Sequence, residues 1–256
     1  MKSLNGKIAL VTGGSRGIGK AISLRLASEG AFVIVHYGSN KVEAEQTLKE
    51  IQQKGGDGVL VSADFKKSEA VENLFSQIDK VVVRESEVYL DILVNNAGIG
   101  MIQDFETTSE MQLDALHAIN IKSPFLVAQK ACQRMKRGGR IINITSIVTR
   151  MASSSVGAYS MTKGAVDVLT LFLAKKLGPQ QITVNSVAPG VINTEMNAEA
   201  LGHPESRKFM ESLSALGRVG EPQDIADVVA FVASEEARWI SGQRIEASGG
   251  SFLGIS

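Results

Sequence analysis

The chain has 256 residues, with 27 Lys+Arg against 27 Asp+Glu, so its formal net charge is zero. This balance gives no electrostatic basis for binding nucleic acid or an anionic membrane, and we expect neither as a partner. The single Cys132 excludes an intrachain disulfide, and no histidine has metal-ligand spacing, so we expect no metal site. The first residues lack the apolar stretch of a secretion signal and no run long enough to span a membrane follows, which favours a cytoplasmic protein.

Short apolar runs rich in β-branched residues recur along the chain and alternate with stretches of helical period. They predict strands near 8–12, 31–35, 58–62, 91–95, 140–145, 182–187 and, more weakly, 244–247. The predicted helices lie near 17–28, 41–54, 68–84, 109–136, 156–177 and 223–234. Apolar strands separated by helices are typical of a parallel sheet covered on both faces. The pattern predicts a single doubly wound α/β domain.

One long stretch, about 188–222, is expected to be irregular because it is rich in proline and glycine. Long connections in compact domains are usually lids or binding loops, so this stretch is the candidate substrate lid. Its apolar residues suit an apolar substrate, and they are Met196, Leu201, Phe209, Met210, Leu213 and Leu216.

The first strand runs into a glycine-rich turn, Thr12-Gly-Gly-Ser-Arg-Gly-Ile-Gly19, that opens a helix. Glycines there let the backbone approach a pyrophosphate at the helix N-terminus. Part of the turn also matches a nucleoside-triphosphate loop, but Ala21 lacks the hydroxyl that would bind Mg²⁺. A tight turn without any ligand is the remaining alternative, and dinucleotide binding is favoured.

The end of the second strand bears on the choice of cofactor. An NAD site usually places Asp or Glu there, whereas this chain has His36-Tyr37-Gly38-Ser39-Asn40. Without that carboxylate, a 2′-phosphate is not repelled. Arg16 in the turn could pair with the phosphate, and Ser39 and Asn40 could hydrogen-bond it. NADP(H) is therefore favoured, the alternative being that Arg16 is only a solvated loop residue.

A proton-transfer pair is indicated by Tyr159 and Lys163, which share one face of a predicted helix. A cation beside a phenol favours the phenolate, so the pair could donate or accept a proton near neutral pH. Ser146 closes the fifth strand, where its hydroxyl could bind a carbonyl oxygen. The alternative is that Tyr159 and Lys163 merely lie on an amphipathic helix.

Together these motifs resemble the short-chain dehydrogenase/reductase family, in its branch with a Tyr-x-x-x-Lys active site. The resemblance spans about residues 5–252 and is carried by ordered motifs at matching spacing. These are Thr12-Gly-x-x-x-Gly-x-Gly19, Asn95-Asn-Ala-Gly98, Asn120, Ser146 with Tyr159 and Lys163, Pro189-Gly190 with Thr194, and Ser241-Gly with Ser248-Gly-Gly250. It implies a Rossmann-like sheet of seven parallel strands in the order 3-2-1-4-5-6-7.

The resemblance also implies the residue roles. Tyr159 exchanges a proton with the substrate oxygen, Lys163 binds the nicotinamide ribose and lowers the tyrosine pKa, and Ser146 positions the substrate. Asn120 would hold a water, and Asp64 would bind the adenine amino group. The remaining cofactor contacts expected are Gly13, Ser15, Arg16, Gly17, Ile18, Gly19, Tyr37, Ser39, Asn40, Phe65, Asn95, Ala97, Gly98, Pro189, Gly190, Val191 and Thr194.

The chain looks most similar to 3-oxoacyl-carrier-protein reductases and related NADPH-dependent carbonyl reductases, which implies reduction of a ketone or acyl-thioester carbonyl. One alternative is an NAD(P)-linked dehydrogenase of a sugar, polyol or other secondary alcohol. A more remote one is a dinucleotide-sensing protein without turnover. An enoyl reductase is disfavoured, because that relative spaces its tyrosine and lysine more widely. The resemblance further implies a homotetramer packed through the helices near 109–136 and 156–177 and the C-terminal segment.

A carrier protein is acidic, so docking one requires a basic patch, expected beside the active-site mouth. Arg137 matches one basic residue that the similar reductases use in this way. The second such position is Gln180 here, not arginine, the alternative being that the neighbouring Lys175 or Lys176 substitutes for it. The sequence therefore predicts a reductase that does not depend on carrier-protein docking.

Overall fold

A computed structural model describes residues 3–82 and 89–253, and a seven-stranded sheet runs through its centre. All neighbouring strands are parallel, and their order, 3-2-1-4-5-6-7, confirms the prediction. The strands are β1 (Ile8–Val11), β2 (Phe32–Tyr37), β3 (Asp57–Ser62), β4 (Leu90–Asn95), β5 (Met135–Ile144), β6 (Thr183–Pro189) and β7 (Arg244–Ala247).

Helices cover both faces of the sheet, as the predicted alternation requires. They are α1 (Gly17–Ser28), α2 (Lys41–Gln53), α3 (Ala70–Val81), α4 (Glu110–Leu116), α5 (Ser123–Cys132), α6 (Gly157–Leu177), α7 (Ala198–Gly202), α8 (Pro204–Ser212) and α9 (Pro222–Ala233). The predicted end of the third helix, at residue 84, lies outside the described residues. In the described ranges no helix is long and apolar enough to cross a bilayer.

The sheet separates two apolar layers, and successive residues of β1 point into opposite ones. Ile8 and Leu10 join the layer formed with α3, α5 and α6. Ala9 and Val11 join the layer formed with α1 and α9. Because both faces are buried, these strands are continuously apolar rather than alternating with polar residues.

The predicted helix over 109–136 is wrong in its middle and at its end. The chain forms α4, then a π-helical turn at His117–Lys122, then α5. It leaves the helix at Cys132 because the carbonyl of Arg134 already accepts the backbone N–H groups of Tyr89 and Leu90, both at 2.9 Å. Sheet pairing thus begins earlier than the predicted strand at 140.

The stretch 188–222 is less irregular than predicted. It holds the end of β6, the helices α7 and α8, and the first residue of α9. Pro204 begins α8, where a fixed φ and a missing N–H are both tolerated. None of the residues 204–212, all of them described, is buried, so no apolar periodicity marked this helix in the sequence.

Candidate active site

The carboxyl ends of the strands gather the predicted site residues at one edge of the sheet. The glycine turn follows β1, the segment 96–98 follows β4, and Ser146 follows β5. Ligands of doubly wound folds bind at this edge, where the strand order reverses between β1 and β4. Other predicted cofactor contacts lie along it after β1, β2, β4 and β6, namely Ser15, Ile18, Tyr37, Ala97, Pro189 and Val191.

The backbone of the glycine turn packs closely against the segment that follows β4. Gly13 has φ +62°, and a Cβ there would lie 3.0 Å from the Cα of Ala97. The turn leads directly into the N-terminus of α1. The first N–H groups of a helix lack partners inside the helix, so this end attracts an anion.

Thr12 and Asn96 hold this turn against the end of β4. The Asn96 side-chain amide donates to the carbonyls of Thr12 at 2.9 Å and Gly13 at 3.0 Å. The Thr12 hydroxyl accepts the backbone N–H groups of Asn96 and Ala97, each at 3.0 Å. Neither residue was predicted as a site residue, although both lie within the motifs, because only the fold shows which asparagine side chain faces the turn.

Asn95 was predicted as a cofactor contact, and the structure places its side chain elsewhere. Its amide donates to Asn143 Oδ1 at 2.9 Å and to the carbonyl of Pro124 at 3.4 Å, inside the core. Asn95 is the last residue of β4, and its side chain points into the sheet's packing layer. Asn96, one residue later, is the asparagine whose side chain holds the turn, and the cofactor contact expected of Asn95 stays a prediction.

His36 supports the glycine turn from β2. Its Nδ1 accepts the Gly13 N–H at 3.0 Å, and its Nε2 lies 3.0 Å from the carbonyl of Ala63. A backbone N–H can only donate and a carbonyl can only accept, so the ring is neutral with its proton on Nε2. Burial lowers the pKa of His36 to about 4, against the hydrogen bond to Ala63. Phe65, predicted as a cofactor contact, stacks on this imidazole with 4.5 Å between centroids.

The predicted 2′-phosphate residues lie near the two helix starts at this edge. Arg16 is the exposed N-cap residue of α1. Ser39 and Asn40 are exposed, and Asn40 Oδ1 caps α2 by accepting the N–H of Glu43 at 3.3 Å. Asp64 is exposed after β3 and its Oδ1 accepts the Lys66 N–H at 3.1 Å. The corner thus presents an arginine, a hydroxyl and an amide.

Ser146, Tyr159 and Lys163 come together beside the end of β5. The Lys163 ammonium donates to the carbonyl of Ile144 at 2.9 Å and lies 5.7 Å from the centroid of the Tyr159 ring. Burial raises the pKa of Tyr159 to about 12, against a hydrogen bond from Ser146 that lowers it. Burial lowers the pKa of Lys163 to about 8, against the negative charge of Asp167.

Asn120 lies in the π-helical turn, a deviation often found at functional sites. Its Oδ1 accepts the Ile99 N–H and its Nδ2 donates to the Ile99 carbonyl, both at 2.9 Å. A Cβ on Gly98 would lie 3.3 Å from Asn120 Oδ1 and 3.4 Å from Lys163 Nζ. Asn120 therefore fixes the backbone beside Lys163, and its predicted role in holding a water stays a prediction.

The segment that follows β6 crosses the site toward the glycine turn. Gly190 donates to the Ala247 carbonyl at 3.2 Å. A Cβ on Gly17 would lie 3.4 Å from the Thr194 methyl carbon, and one on Gly100 would lie 2.9 Å from the Met196 sulfur. Thr194, a predicted cofactor contact, thus lies against the turn, and Met196 of the predicted lid lies against the loop after β4.

Comparison with known proteins bears on this arrangement. A family model described as "Enoyl-(Acyl carrier protein) reductase" matches residues 13–251. A short-chain dehydrogenase/reductase from Serratia marcescens is 38% identical with a TM-score of 0.90, over 97% of this chain and 98% of that one. The chain belongs to the short-chain dehydrogenase/reductase family.

Two further similar members of the short-chain dehydrogenase/reductase family have more specific descriptions. The angucycline C-6 ketoreductase LanV, solved with bound NADP, is 43% identical with a TM-score of 0.94, over 98% of each chain. The chloroplastic NADPH-dependent aldehyde reductase 2 of Arabidopsis thaliana is 38% identical over 98% of this chain and 95% of its own.

Arg137 of this short-chain dehydrogenase/reductase lies far from the position expected for a docking residue. It is near the start of β5, whereas Ser146 follows the end of that strand. Its guanidinium donates to Gln181 Oε1 at 3.1 Å and to the Pro179 carbonyl at 3.2 Å. Within one copy of the chain, the expectation that Arg137 flanks the active-site mouth is wrong. Arg137 lies near the start of β5, whereas the active site lies beyond the end of that strand, at the opposite edge of the sheet.

Proposed function

We propose that this protein reduces a ketone or 3-oxoacyl-type carbonyl to a secondary alcohol with NADPH. The observation that carries the proposal is the placement of Ser146, Tyr159 and Lys163 beside a glycine turn at one sheet edge. The descriptions of LanV and of the Arabidopsis aldehyde reductase support carbonyl reduction and NADP(H). The spacing of Tyr159 and Lys163 supports reduction of a carbonyl rather than an enoyl group. The enoyl reductases related to this family have a wider spacing between their tyrosine and lysine.

The residues present fit NADP(H). The glycine turn offers a surface that a Cβ at Gly13 would disturb, and α1 offers its N-terminus to the pyrophosphate. Arg16, Ser39 and Asn40 would bind the 2′-phosphate by charge and hydrogen bonds. Lys163 would bind the nicotinamide ribose. The cofactor, when bound, supplies hydride to the carbonyl carbon.

The protein's own contribution is orientation and a proton. Ser146 and Tyr159 would hydrogen-bond the carbonyl oxygen, and the Tyr159 hydroxyl would donate its proton to that oxygen as the alcohol forms. A phenol with a pKa raised to about 12 is fully protonated at neutral pH, so the acid required for reduction is present. After Tyr159 has given up its proton, the positive charge of Lys163 lowers the free energy of the phenolate that is left.

The substrate we propose is an apolar carbonyl compound entering under a lid formed by 188–222. Met196 of that stretch contacts Gly100, which brings the lid onto the loop after β4. Large apolar side chains are exposed on both segments, with Met196 57% and Leu216 69% exposed on the lid and Ile102 71% exposed in the loop after β4. Covering them with an apolar substrate would be favourable.

We also propose the homotetramer implied by the resemblance. Apolar side chains are exposed along α6, one of the helices expected at its interfaces, namely Met161, Val168, Leu171 and Phe172. A contiguous exposed apolar face of this kind is typical of a protein–protein interface. Sedimentation of the purified chain tests this directly, and a stable monomer at micromolar concentration would contradict it.

Initial rates with a panel of carbonyls test the proposed reaction. The panel comprises 2-tetralone, 2,3-hexanedione and ethyl acetoacetate, each with NADPH and with NADH, and a matched set of sugars and polyols with the oxidised cofactors. We expect turnover of at least one carbonyl with NADPH. Turnover confined to the sugars and polyols would instead identify the dehydrogenase alternative, and cofactor binding without any turnover would favour the sensing protein.

A further inference from the structure

A charged cluster lies behind the catalytic residues, and the reaction described above does not use it. Its centre is Arg244 on β7, paired across the sheet with Ser186 on β6. The Arg244 Nη2 donates to the backbone carbonyl of Ser146 at 3.0 Å. A residue distant in the chain therefore holds the catalytic serine by its main chain.

Asp167 connects the same arginine to Lys163. It lies one helical turn after Lys163 on α6, on the same face, and its charge acts on that ammonium. Its Oδ2 lies 3.3 Å from Arg244 Nε and accepts the Thr149 hydroxyl at 3.1 Å. Its Oδ1 accepts the Ser186 hydroxyl at 3.1 Å.

Thr149 packs between Asp167 and Ser146. The Thr149 hydroxyl, whose single proton is donated to Asp167, has its oxygen 3.3 Å from the Ser146 carbonyl. The side chains of Asp167 and Arg244 are only 21% and 20% exposed, so their charges are weakly screened compared with a surface pair. The Asp167 charge acts on Lys163, and Arg244 is the cation that offsets this charge.

Resting on the proposed function, we propose that Asp167 and Arg244 are a positioning pair for the catalytic centre. Arg244 fixes the turn that carries Ser146, and the balance of the two charges determines the field that Lys163 experiences. Neither side chain contacts the reacting atoms, so both act through Ser146 and Lys163.

The charged and titratable groups around Lys163 define what a variant would change. Tyr159 and Asp167 belong to its own helix, and Arg244 and Glu246 of β7 are connected to it through the ion pair of Arg244 with Asp167. Glu246 contacts Arg244 and lies 2.7 Å from Arg150 of the turn after Ser146. Removing Asp167 deletes the negative charge that acts on Lys163. Removing Arg244 instead takes a positive partner away from the carboxylates of Asp167 and Glu246.

The two removals should therefore move the Lys163 pKa in opposite directions. Asp167→Asn keeps the shape and one acceptor oxygen but deletes the charge, which lowers the Lys163 pKa. Arg244→Met removes the cation beside Asp167, which raises it. Each shift is expected to be about 0.5 pH unit or more. Arg244→Lys keeps the charge and should move the pKa little, while still loosening the Ser146 turn.

Titration of the cofactor-free protein by NMR, with ¹³C-labelled lysine, measures this pKa without any substrate. The Lys163 resonance is assigned by its absence in Lys163→Arg. Asp227→Asn is the matched control, because Asp227 pairs with Arg25 at 2.7 Å on α1 and α9, away from the site. Opposite shifts in Asp167→Asn and Arg244→Met, with none in the control, are expected. No shift, or shifts in one direction, would overturn the proposal.

Carbonyl reduction by the same variants provides the second readout. With the best carbonyl of the panel, the activity of the native chain should decline as Lys163 loses its proton above about pH 8. That decline should move to lower pH in Asp167→Asn and to higher pH in Arg244→Met, and Arg244→Lys should lower kcat without moving it. A native chain that reduces no carbonyl would contradict the proposed function, yet the NMR titration would still decide the charge relationship.

Discussion

Gly19 and Gly13 approach each other so closely that a methyl group on Gly19 would lie 2.0 Å from the carbonyl oxygen of Gly13. Gly19→Ala must therefore push the glycine turn apart, at a cost of about 1–3 kcal/mol or more in the free energy of unfolding. We expect loss of NADPH binding, measured by cofactor fluorescence. Gly178→Ala is the control, since no atom lies within 4 Å of the added methyl group and φ is −51°. Equal binding by both variants would contradict the predicted cofactor site.

Tyr159→Phe removes the hydroxyl that is proposed to protonate the substrate oxygen. The ring and its packing against Lys163 remain, so NADPH binding should be nearly unchanged. Loss of a positioned general acid lowers kcat by about 10²–10⁴-fold. Steady-state rates and cofactor titration check the two parts separately. Activity within about threefold of the native chain would rule out Tyr159 as the acid.

Arg16→Ala tests the assignment of the 2′-phosphate corner. Arg16 is exposed at the start of α1, and its loss removes a charge-assisted contact that only NADP(H) can make. The KM for NADPH should rise about tenfold or more, while the KM for NADH changes little. Lys41→Ala, at the first residue of α2, is a neighbouring charge removal for comparison. Equal effects of Arg16→Ala on both cofactors would show that this arginine does not recognise the phosphate.

His36 makes the stability of the protein depend on pH. Its pKa is lowered to about 4 in the folded chain, whereas a free histidine has a pKa of 6.5, so the unfolded chain binds the proton more readily. This contribution to the free energy of unfolding amounts to about 3 kcal/mol. It is present above about pH 6.5 and is lost as the pH falls toward 4. Chemical unfolding at several pH values should show a smaller loss for His36→Gln, which has no titrating ring. Parallel curves for the two chains would contradict this.

Arg137→Glu tests independence from a carrier protein. Arg137 lies at the sheet edge opposite Ser146, so its reversal should leave kcat/KM for a soluble 3-oxoacyl thioester unchanged within about twofold. The same thioester should be reduced at least as efficiently free as when carrier-bound. A strong preference for the carrier-bound form, weakened by salt and by Arg137→Glu, would restore a role for docking.

The sequence by itself determined the layered fold, because continuous apolar strands between amphipathic helices have few packings other than a covered parallel sheet. It also indicated the candidate catalytic residues, since Tyr159 and Lys163 share a helix face and Ser146 closely follows a strand. The predicted boundaries of helices and strands are wrong where long-range pairing decides them, as at Arg134, whose carbonyl joins the sheet sooner than local preference indicated.

Only the tertiary structure decided which neighbouring side chain faces the site. Asn95 and Asn96 are identical in type and adjacent in sequence, yet one points into the core and the other holds the glycine turn. His36 and Gly13, like Arg244 and Ser146, meet because separate strands end at the same edge. No local pattern encodes such contacts, since side-chain direction and partner depend on where the sheet brings distant strands together.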